Sequence, residues 1–182
     1  MQAPKIPIDV DPQTGHWMTD GVPMIYTPRA FFVNIQKAIE EAIGVDGYRQ
    51  RLYGAAYDAT YAWCEVQAKR HALEGIEVFQ HYLDRLSGRG WGRFALITID
   101  AAAGTASARL DHSALVAGFG KTGRRVCYMF DGAFAAAMDW VGAASGADYR
   151  ATCRETRCAA EFDADHCLFE VSPRQACDAP VG

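Results

Sequence analysis

The chain has 182 residues, 50% of them hydrophobic and 22% charged, with a formal net charge of −4. This length predicts one domain that buries its own core, and the composition argues against disordered and fibrous proteins. The mild negative charge offers no basic face for nucleic acid and no polybasic stripe for anionic lipid. We therefore expect neither nucleic acid nor membrane as a direct partner.

The sequence has no segment that predicts export or membrane insertion. Its first residues contain no apolar run typical of a secretory signal. The longest apolar stretch, residues 129–144, carries Asp131 and Asp139 and does not qualify as a membrane span. We expect a cytoplasmic protein, in which cysteines are thiols or metal ligands more often than disulfides. The six cysteines are Cys64, Cys127, Cys153, Cys158, Cys167 and Cys177.

The beginning of the chain predicts an extended arm over residues 1–27, followed by a single domain over residues 28–175. Within the arm, Asp20 and Gly21 are a turn signal between two short apolar runs and predict a small hairpin. A helix then begins near Pro28, because proline suits the first turn of a helix and the next apolar residues recur at helical spacing. Gly44 ends this helix.

The rest of the chain alternates less regularly between helical and strand patterns. In the second helix, Gly54 and neighbouring alanines would let another helix approach closely. The predicted elements are helices over residues 53–70, 73–86 and 129–144, a hairpin over residues 93–113 and strands over residues 148–156 and 166–171. Because helices come first and strands cluster later, we expect an α+β fold, with an antiparallel sheet of about four strands packed against several α-helices.

Two short motifs resemble functional sites but lack the required pattern. GFGKTG at residues 118–123 contains the Gly-Lys-Thr of a phosphate-binding loop, yet Leu115 occupies the position of the first glycine. Residues 111–113 are Asp, His and Ser, the residue types of a hydrolase triad. Because neighbouring residues on an extended segment point to opposite faces, we do not expect them to form one. Trp63 and Trp91 could line a cavity, although such aromatic residues usually belong to the core.

Residues 153–171, CRETRCAAEFDADHCLFEV, hold the densest group of candidate metal ligands. Two residues separate Glu155 from Cys158, and a strand–turn–strand hairpin would bring Cys158 close to Cys167. Cysteine, histidine and carboxylate are the usual ligands of zinc, which takes four. Cys127 is the best fourth candidate, since it precedes a predicted helix whose positive end favours a thiolate. Cys153 and His166 compete for that place, and buried thiols without a metal are the alternative interpretation.

At these residues the sequence resembles the 4-vinyl reductase (4VR) domain family. The matching segments are Val126-Cys127-Tyr128, followed by the small residues Gly132 and Ala136, then Glu155-Thr156-Arg157-Cys158 and His166-Cys167-Leu168-Phe169-Glu170-Val171. The resemblance is best over residues 85–172.

The resemblance implies properties that spacing alone does not. The family's α+β fold is related to ligand-binding modules of nitric-oxide sensors and of TRAPP subunits, and it usually forms homodimers. In phenol- and xylene-sensing transcription activators, this domain binds a small aromatic compound near a structural zinc held by three cysteines and one glutamate. Position by position, those ligands correspond to Cys127, Glu155, Cys158 and Cys167.

These observations lead us to expect a stand-alone sensor or accessory module with a structural zinc and a small hydrophobic or aromatic ligand. No ATPase domain or DNA-binding helix-turn-helix is recognised, so we do not expect direct transcriptional activation. The alternative is an enzyme or accessory factor, vinyl-reductase-like, in a catabolic or tetrapyrrole pathway. We favour it less, because we find no dinucleotide fingerprint and no activated nucleophile. A third hypothesis is an interaction protein in which Trp17 of the arm contacts a second subunit.

Overall fold

The structure is a computed structural model, which describes residues 6–174. Within these residues, twelve helices and strands follow one another. The first six are β1 (Ile8–Val10), β2 (Trp17–Thr19), β3 (Val22–Met24), α1 (Arg29–Ile43), α2 (Val45–His71) and α3 (Ile76–Gly88). The remaining six are β4 (Arg93–Asp100), β5 (Thr105–Asp111), α4 (Ala114–Phe119), α5 (Met129–Ser145), β6 (Ala151–Arg157) and β7 (Cys167–Pro173). The α+β fold is confirmed.

The larger sheet is antiparallel and has the strand order β4-β5-β7-β6. Alternate residues of β5 are buried, namely Ala106, Ala108 and Leu110, because successive side chains of a strand point to opposite faces. These residues face the core with Phe169 of β7 and the apolar helix α5.

Helix α5 is the centre of the domain, and α2 packs across it. A Cβ atom at Gly132 would lie only 2.1 Å from the carbonyl oxygen of Tyr53. Glycine at this position therefore permits the two helix backbones to touch. Our expectation that Gly54 makes a close approach is wrong, because nothing lies within 4 Å of a Cβ built there. Helix α2 instead approaches α5 on the side where the carbonyl group of Tyr53 lies.

Residues 8–24 form a separate three-stranded sheet with the order β1-β2-β3, which we call the N-terminal sheet. The predicted hairpin at Asp20 and Gly21 is present, and both residues have positive φ angles, 53° and 76°, as a tight hairpin turn requires. Asp20 is only 1% exposed and binds Arg85 of α3, with 2.9 Å between Oδ2 and Nε. Gln67 of α2 donates to the carbonyl of Asp20 at 2.9 Å. The turn is thus fixed to the helical layer.

Several predicted boundaries differ from the structure. Helix α2 begins at Val45 because Gly44, with φ 77°, both ends α1 and precedes α2. Helix α3 begins only at Ile76, since Ala72 is left-handed and ends α2 and Gly75 precedes the next helix. Strand β1 and helix α4 were not predicted. No helix within residues 6–174 is long and apolar enough to cross a membrane.

Candidate functional site

Four acidic or thiol side chains converge beside the amino end of α5. They are Cys127, Glu155, Cys158 and Cys167, and we call them the Cys/Glu cluster. All four are fully buried, and one potential ligand atom from each lies within 4.8 Å of the others. The Sγ atom of Cys167 is 3.8 Å from the Sγ atoms of both Cys127 and Cys158. This arrangement is compatible with a metal site.

The β6–β7 hairpin brings three members of the cluster together. Glu155 points inward from β6 opposite Phe169 of β7. In a regular strand Cys158 would point to the opposite face, because it follows Glu155 by three residues. The pairing register shifts between Glu155 and Arg157, and β6 then ends, so that Cys158 also turns inward. Cys167 begins β7 on the inward face.

The segment before α5 holds the hairpin turn in place. Lys121 donates from Nζ to the carbonyl oxygens of Glu161 and Ala164, at 2.9 and 2.5 Å. The backbone amides of Thr122 and Gly123 donate to the carbonyl of Ala160. Lys121 and Thr122, which belong to the motif that resembles a phosphate-binding loop, and the following Gly123 therefore bind the turn that carries the cluster.

Backbone amides also donate toward the cluster itself. Ala159 donates to Sγ of Cys167 at 3.3 Å, and Ala160 donates to Sγ of Cys158 at 3.5 Å. The amide of Cys127 donates to Oε2 of Glu155 at 3.0 Å. Such donors stabilise thiolate and carboxylate charge. The other carboxylate oxygen of Glu155, Oε1, is buried and has no hydrogen-bond partner in the described part of the chain.

The four groups compete for negative charge when no cation is present. Burial, and then the nearby Cys158 sulfur, raise the pKa of Glu155 well above its ordinary value. Burial likewise raises the pKa of Cys127. Hydrogen bonds from Cys127 and Cys167 lower the pKa of Cys158. A bound cation would allow more of these groups to ionise together.

Two residues that the sequence offered as alternative candidates for the fourth metal ligand lie outside the cluster. Cys153 is buried in β6 opposite Val171, one inward position before Glu155. His166 lies at the end of the turn, and its Nδ1 atom is 2.5 Å from Oδ1 of the exposed Asp165. All five described cysteines are free thiols, as expected, and Cys177 lies outside the described residues.

Several residues that support the cluster could not be inferred from the sequence. Ser113 lies with Oγ 3.1 Å from Sγ of Cys127. Asp131 accepts from the backbone amide of Glu155 at 2.7 Å, and burial raises the pKa of Asp131 to about 7. Tyr128 donates to Glu40 of α1 at 2.5 Å, and Glu40 also forms an ion pair with Arg124. These contacts fix the segment that carries Cys127, and they join residues far apart in the chain.

An apolar cavity of about 360 Å³ lies between the N-terminal sheet, α4 and the facing ends of α1 and α3. Its lining residues are Ile6, Ile8, Trp17, Thr19, Met24, Ile25, Tyr26, Thr27, Arg29, Phe32, Gly88, Arg89, Gly90, Trp91, Ala114 and Leu115. Trp91 contacts Phe32 edge-on, with ring centres 5.4 Å apart, and also contacts Phe130 of the core at 5.8 Å. Trp63, the other tryptophan considered above, is stacked with His81 instead.

The fold is shared with proteins of known structure. The phenol-responsive sensory domain of the transcription activator PoxR, solved with phenol, superposes with a TM-score of 0.74 at 16% identity, over 91% of this chain and 84% of that one. A trafficking protein particle complex subunit 3 from Naegleria fowleri, covalently bound to palmitic acid, gives 0.55 at 11% identity, over 81% and 95%. A vinyl-4-reductase family protein from Methanocaldococcus jannaschii gives 0.51 at 12% identity, over 84% and 85%. The structural relationship predicted from the 4VR resemblance is therefore confirmed.

The sequence also assigns the chain to a family. Residues 2–97 match the family described as domain of unknown function DUF5943, and the chain belongs to it. A comparison with curated proteins gave no significant match. The matched residues include the N-terminal sheet and α1 to α3, and 14 of the 16 residues that line the cavity lie within them. The Cys/Glu cluster lies beyond the matched residues.

Proposed function

We propose that the chain is a small-molecule-binding domain of the sensor type, with a hydrophobic or aromatic ligand in the cavity beside the N-terminal sheet and a structural zinc in the Cys/Glu cluster. The cavity is the observation that carries this proposal. Its volume is within the range of ligand sites, and its walls are mostly apolar and aromatic with few polar groups, as is usual for such sites. The PoxR sensory domain, which has this fold, was solved with phenol.

The spacing of the sulfur atoms supports zinc as the metal. Zinc–sulfur bonds of about 2.3 Å in a tetrahedron require sulfur atoms about 3.8 Å apart. Cys167 lies at this distance from both of its cysteine neighbours. Three cysteines and the otherwise unpartnered Oε1 of Glu155 would complete four protein ligands. A complete set is typical of structural zinc, whereas catalytic zinc keeps a position for water, so we assign the metal a folding role.

The surface near the cavity supports our expectation of a homodimer. Ile25 and Tyr26 are 87% and 83% exposed, and Phe31 of α1 is 59% exposed. Three large, exposed apolar side chains within seven residues of the chain are compatible with an interaction surface. The free thiols at the described cysteines suit a reducing compartment, so we retain the cytoplasm as the proposed location. The division between an arm and a domain at residue 27 also stays a prediction.

The ligand-binding proposal can be tested with two matched substitutions on α4. Ala114 lines the cavity and Ala117 is exposed outside it. Ala114→Phe should fill the cavity without removing any existing side chain, and Ala117→Phe adds the same ring at the surface. We would titrate the purified protein with 4-butylphenol and follow tryptophan fluorescence, since Trp17 and Trp91 line the cavity.

The expected result is saturable binding by the parent and by Ala117→Phe, and at least about tenfold weaker binding by Ala114→Phe. Native mass spectrometry of the purified parent adds a search for any compound retained from the cell. Equal binding by both variants would place the ligand elsewhere. An absence of binding together with an absence of any retained compound would contradict a small-molecule function.

A further inference from the structure

The charges around the cavity are unbalanced. Two arginines, Arg29 and Arg89, are among its lining residues, and within the described chain no aspartate or glutamate lines it. The whole chain has the opposite sign, with a net charge of −4. The positive character of this wall is therefore a local property of the cavity, and an apolar ligand alone would not need it.

No acceptor within the described part of the chain is hydrogen-bonded to the guanidinium of Arg89. Its Nε and Nη2 atoms are buried and lack a hydrogen-bond partner within residues 6–174. The guanidinium carbon lies 5.5 Å from the ring centre of Trp63, so an aromatic face is its neighbour on that side. Burial lowers the pKa of Arg89, as expected for a cation that is only partly compensated. Arg89 as a residue is only partly buried, but its enclosed N–H groups are an exception, since buried polar groups of a charged side chain are usually paired.

A neighbouring arginine has the partner that Arg89 lacks. Arg85, one helical turn earlier, forms an ion pair with Asp20, in which Nη2 donates to Oδ1 at 3.2 Å and Nε lies 2.9 Å from Oδ2. Asp20 also has His71 nearby, 3.7 Å from Oδ1. The Asp20 carboxylate is thus already paired with Arg85. Its charge also acts on Arg89 and works against the lowering of the pKa of Arg89, but within residues 6–174 Arg89, a lining residue of the cavity, has no carboxylate hydrogen-bonded to it.

We infer that the cavity binds a small amphipathic carboxylate, either an acyl or an arylalkyl acid, whose carboxylate pairs with Arg89. This inference rests on the proposed function and names the chemical class of its ligand. The apolar part of the acid would lie against Trp17, Phe32 and Trp91, and the exposed Arg29 at the helix start would add to the positive field. Since none of the described lining residues is a cysteine, the acid is held without a covalent bond.

A series of ligands that differ only in charge tests this inference. Octanoate, 1-octanol and octylamine share one chain length, and calorimetric titration of the full chain gives the affinity for each. The pair 4-phenylbutyrate and 4-phenyl-1-butanol repeats the comparison on an aromatic body, and so distinguishes an arylalkyl acid from an acyl one. Arg89→Met removes the charge but keeps an apolar stem against Trp63. Arg51→Met is the control, because Arg51 is exposed on α2 and is not part of the cavity.

At least one of the two acids should bind about tenfold or more tightly than its alcohol, and the amine more weakly than its alcohol. Arg89→Met should lose the preference for the acid while it keeps the affinity for the alcohol, and Arg51→Met should behave as the parent. If Arg89→Met does not fold, Arg29→Gln is tested in its place. The preference of this variant for the acid over the alcohol should be smaller than that of the parent and should depend less on salt concentration.

Alcohols that bind as tightly as the acids would overturn the carboxylate inference and leave the proposed small-molecule function intact. The same holds if Arg89→Met retains the full preference. If no acid, alcohol or amine binds and no compound is retained from the cell, both the inference and the proposed function fail.

Discussion

The Sγ atom of Cys127 lies 3.1 Å from the Oγ atom of Ser113, the residue immediately before α4. Ser113 also accepts from the backbone amide of Val116 and so caps this helix. The next two residues, Ala114 and Leu115, line the cavity. One side-chain contact therefore joins the Cys/Glu cluster to the wall of the proposed ligand site.

Loss of the proposed zinc should lower the stability of the protein, because the Cys/Glu cluster connects the β6–β7 hairpin to the segments before α4 and α5. We expect about one zinc per chain in the parent, little in Cys158→Ser, and an unchanged content in Cys153→Ser, which alters a buried thiol outside the cluster. A chelator should lower the melting temperature of the parent and of Cys153→Ser. Metal analysis and calorimetry measure both. A full zinc content in Cys158→Ser would show that our ligand set is wrong.

The ion pair between Asp20 and Arg85 should hold the N-terminal sheet against the helices. Asp20→Asn leaves Arg85 without its carboxylate in a buried place, and we expect a loss of about 3 kcal/mol in unfolding free energy. Asp9→Asn, on the exposed strand β1, is the control and should be near neutral. Denaturant unfolding gives the free energies, and limited proteolysis should cut residues 8–24 sooner in Asp20→Asn. Equal protection of this segment in the two variants would contradict the role of the ion pair.

Two glycine-to-alanine changes should have opposite effects. In Gly132→Ala the new methyl group meets the carbonyl of Tyr53 at 2.1 Å, and we expect a loss of about 2 kcal/mol or more. In Gly54→Ala the methyl group meets open space within α2, so helix propensity should add up to about 1 kcal/mol. Thermal unfolding of both variants tests the prediction. A gain in stability for Gly132→Ala would mean that α2 and α5 pack differently.

Glu40 should make a pH-dependent contribution to stability. Burial acts to raise the pKa of Glu40, but hydrogen bonds from Arg124, Tyr128 and Gln36 outweigh it and hold the pKa below the usual 4.5. A lowered folded-state pKa means that stability is present above the unfolded-state value and is lost as the pH falls through the folded-state value. Glu40→Gln should therefore cost about 1–2 kcal/mol at neutral pH.

That cost should shrink in acid, below the usual pKa of a glutamate. The neighbouring Glu41 is exposed, so Glu41→Gln should change little at either pH and serves as the control. Unfolding free energies measured across acid and neutral pH provide the comparison. A difference between the Glu40 variant and the parent that stays constant with pH would rule out the carboxylate as its source.

The sequence predicted those helices, strands and turns whose residue pattern lies within one continuous segment. Alternation in β5 and helical spacing in α1 are visible within one segment, and the turn at Asp20 and Gly21 has its own residue signature. Strand β1 has only three residues, all exposed, and α4 has six, so neither has enough length for a periodic signal.

The residues of the candidate site also divide into those close together in the sequence, which could be predicted, and those brought together only by tertiary packing. Glu155, Cys158 and Cys167 could be grouped because one hairpin carries them. Cys127 was the best fourth candidate because it precedes a predicted helix, and only the resemblance to a family favoured it over Cys153 and His166. Glu40 and Tyr128 are 88 residues apart, and their contact depends on tertiary packing. The cavity wall likewise comes from several separate segments, so its lining could not be read from spacing.

The positions of the four cluster residues along the chain have a consequence for folding. Cys158 and Cys167 are 9 residues apart, whereas Cys127 and Cys167 are 40 apart. Short loops close faster and at lower entropic cost than long ones. A metal ion can therefore meet three ligands on an early hairpin, while the fourth arrives only when α5 docks on the sheet. Tight metal binding would then report that the long-range half of the core has formed.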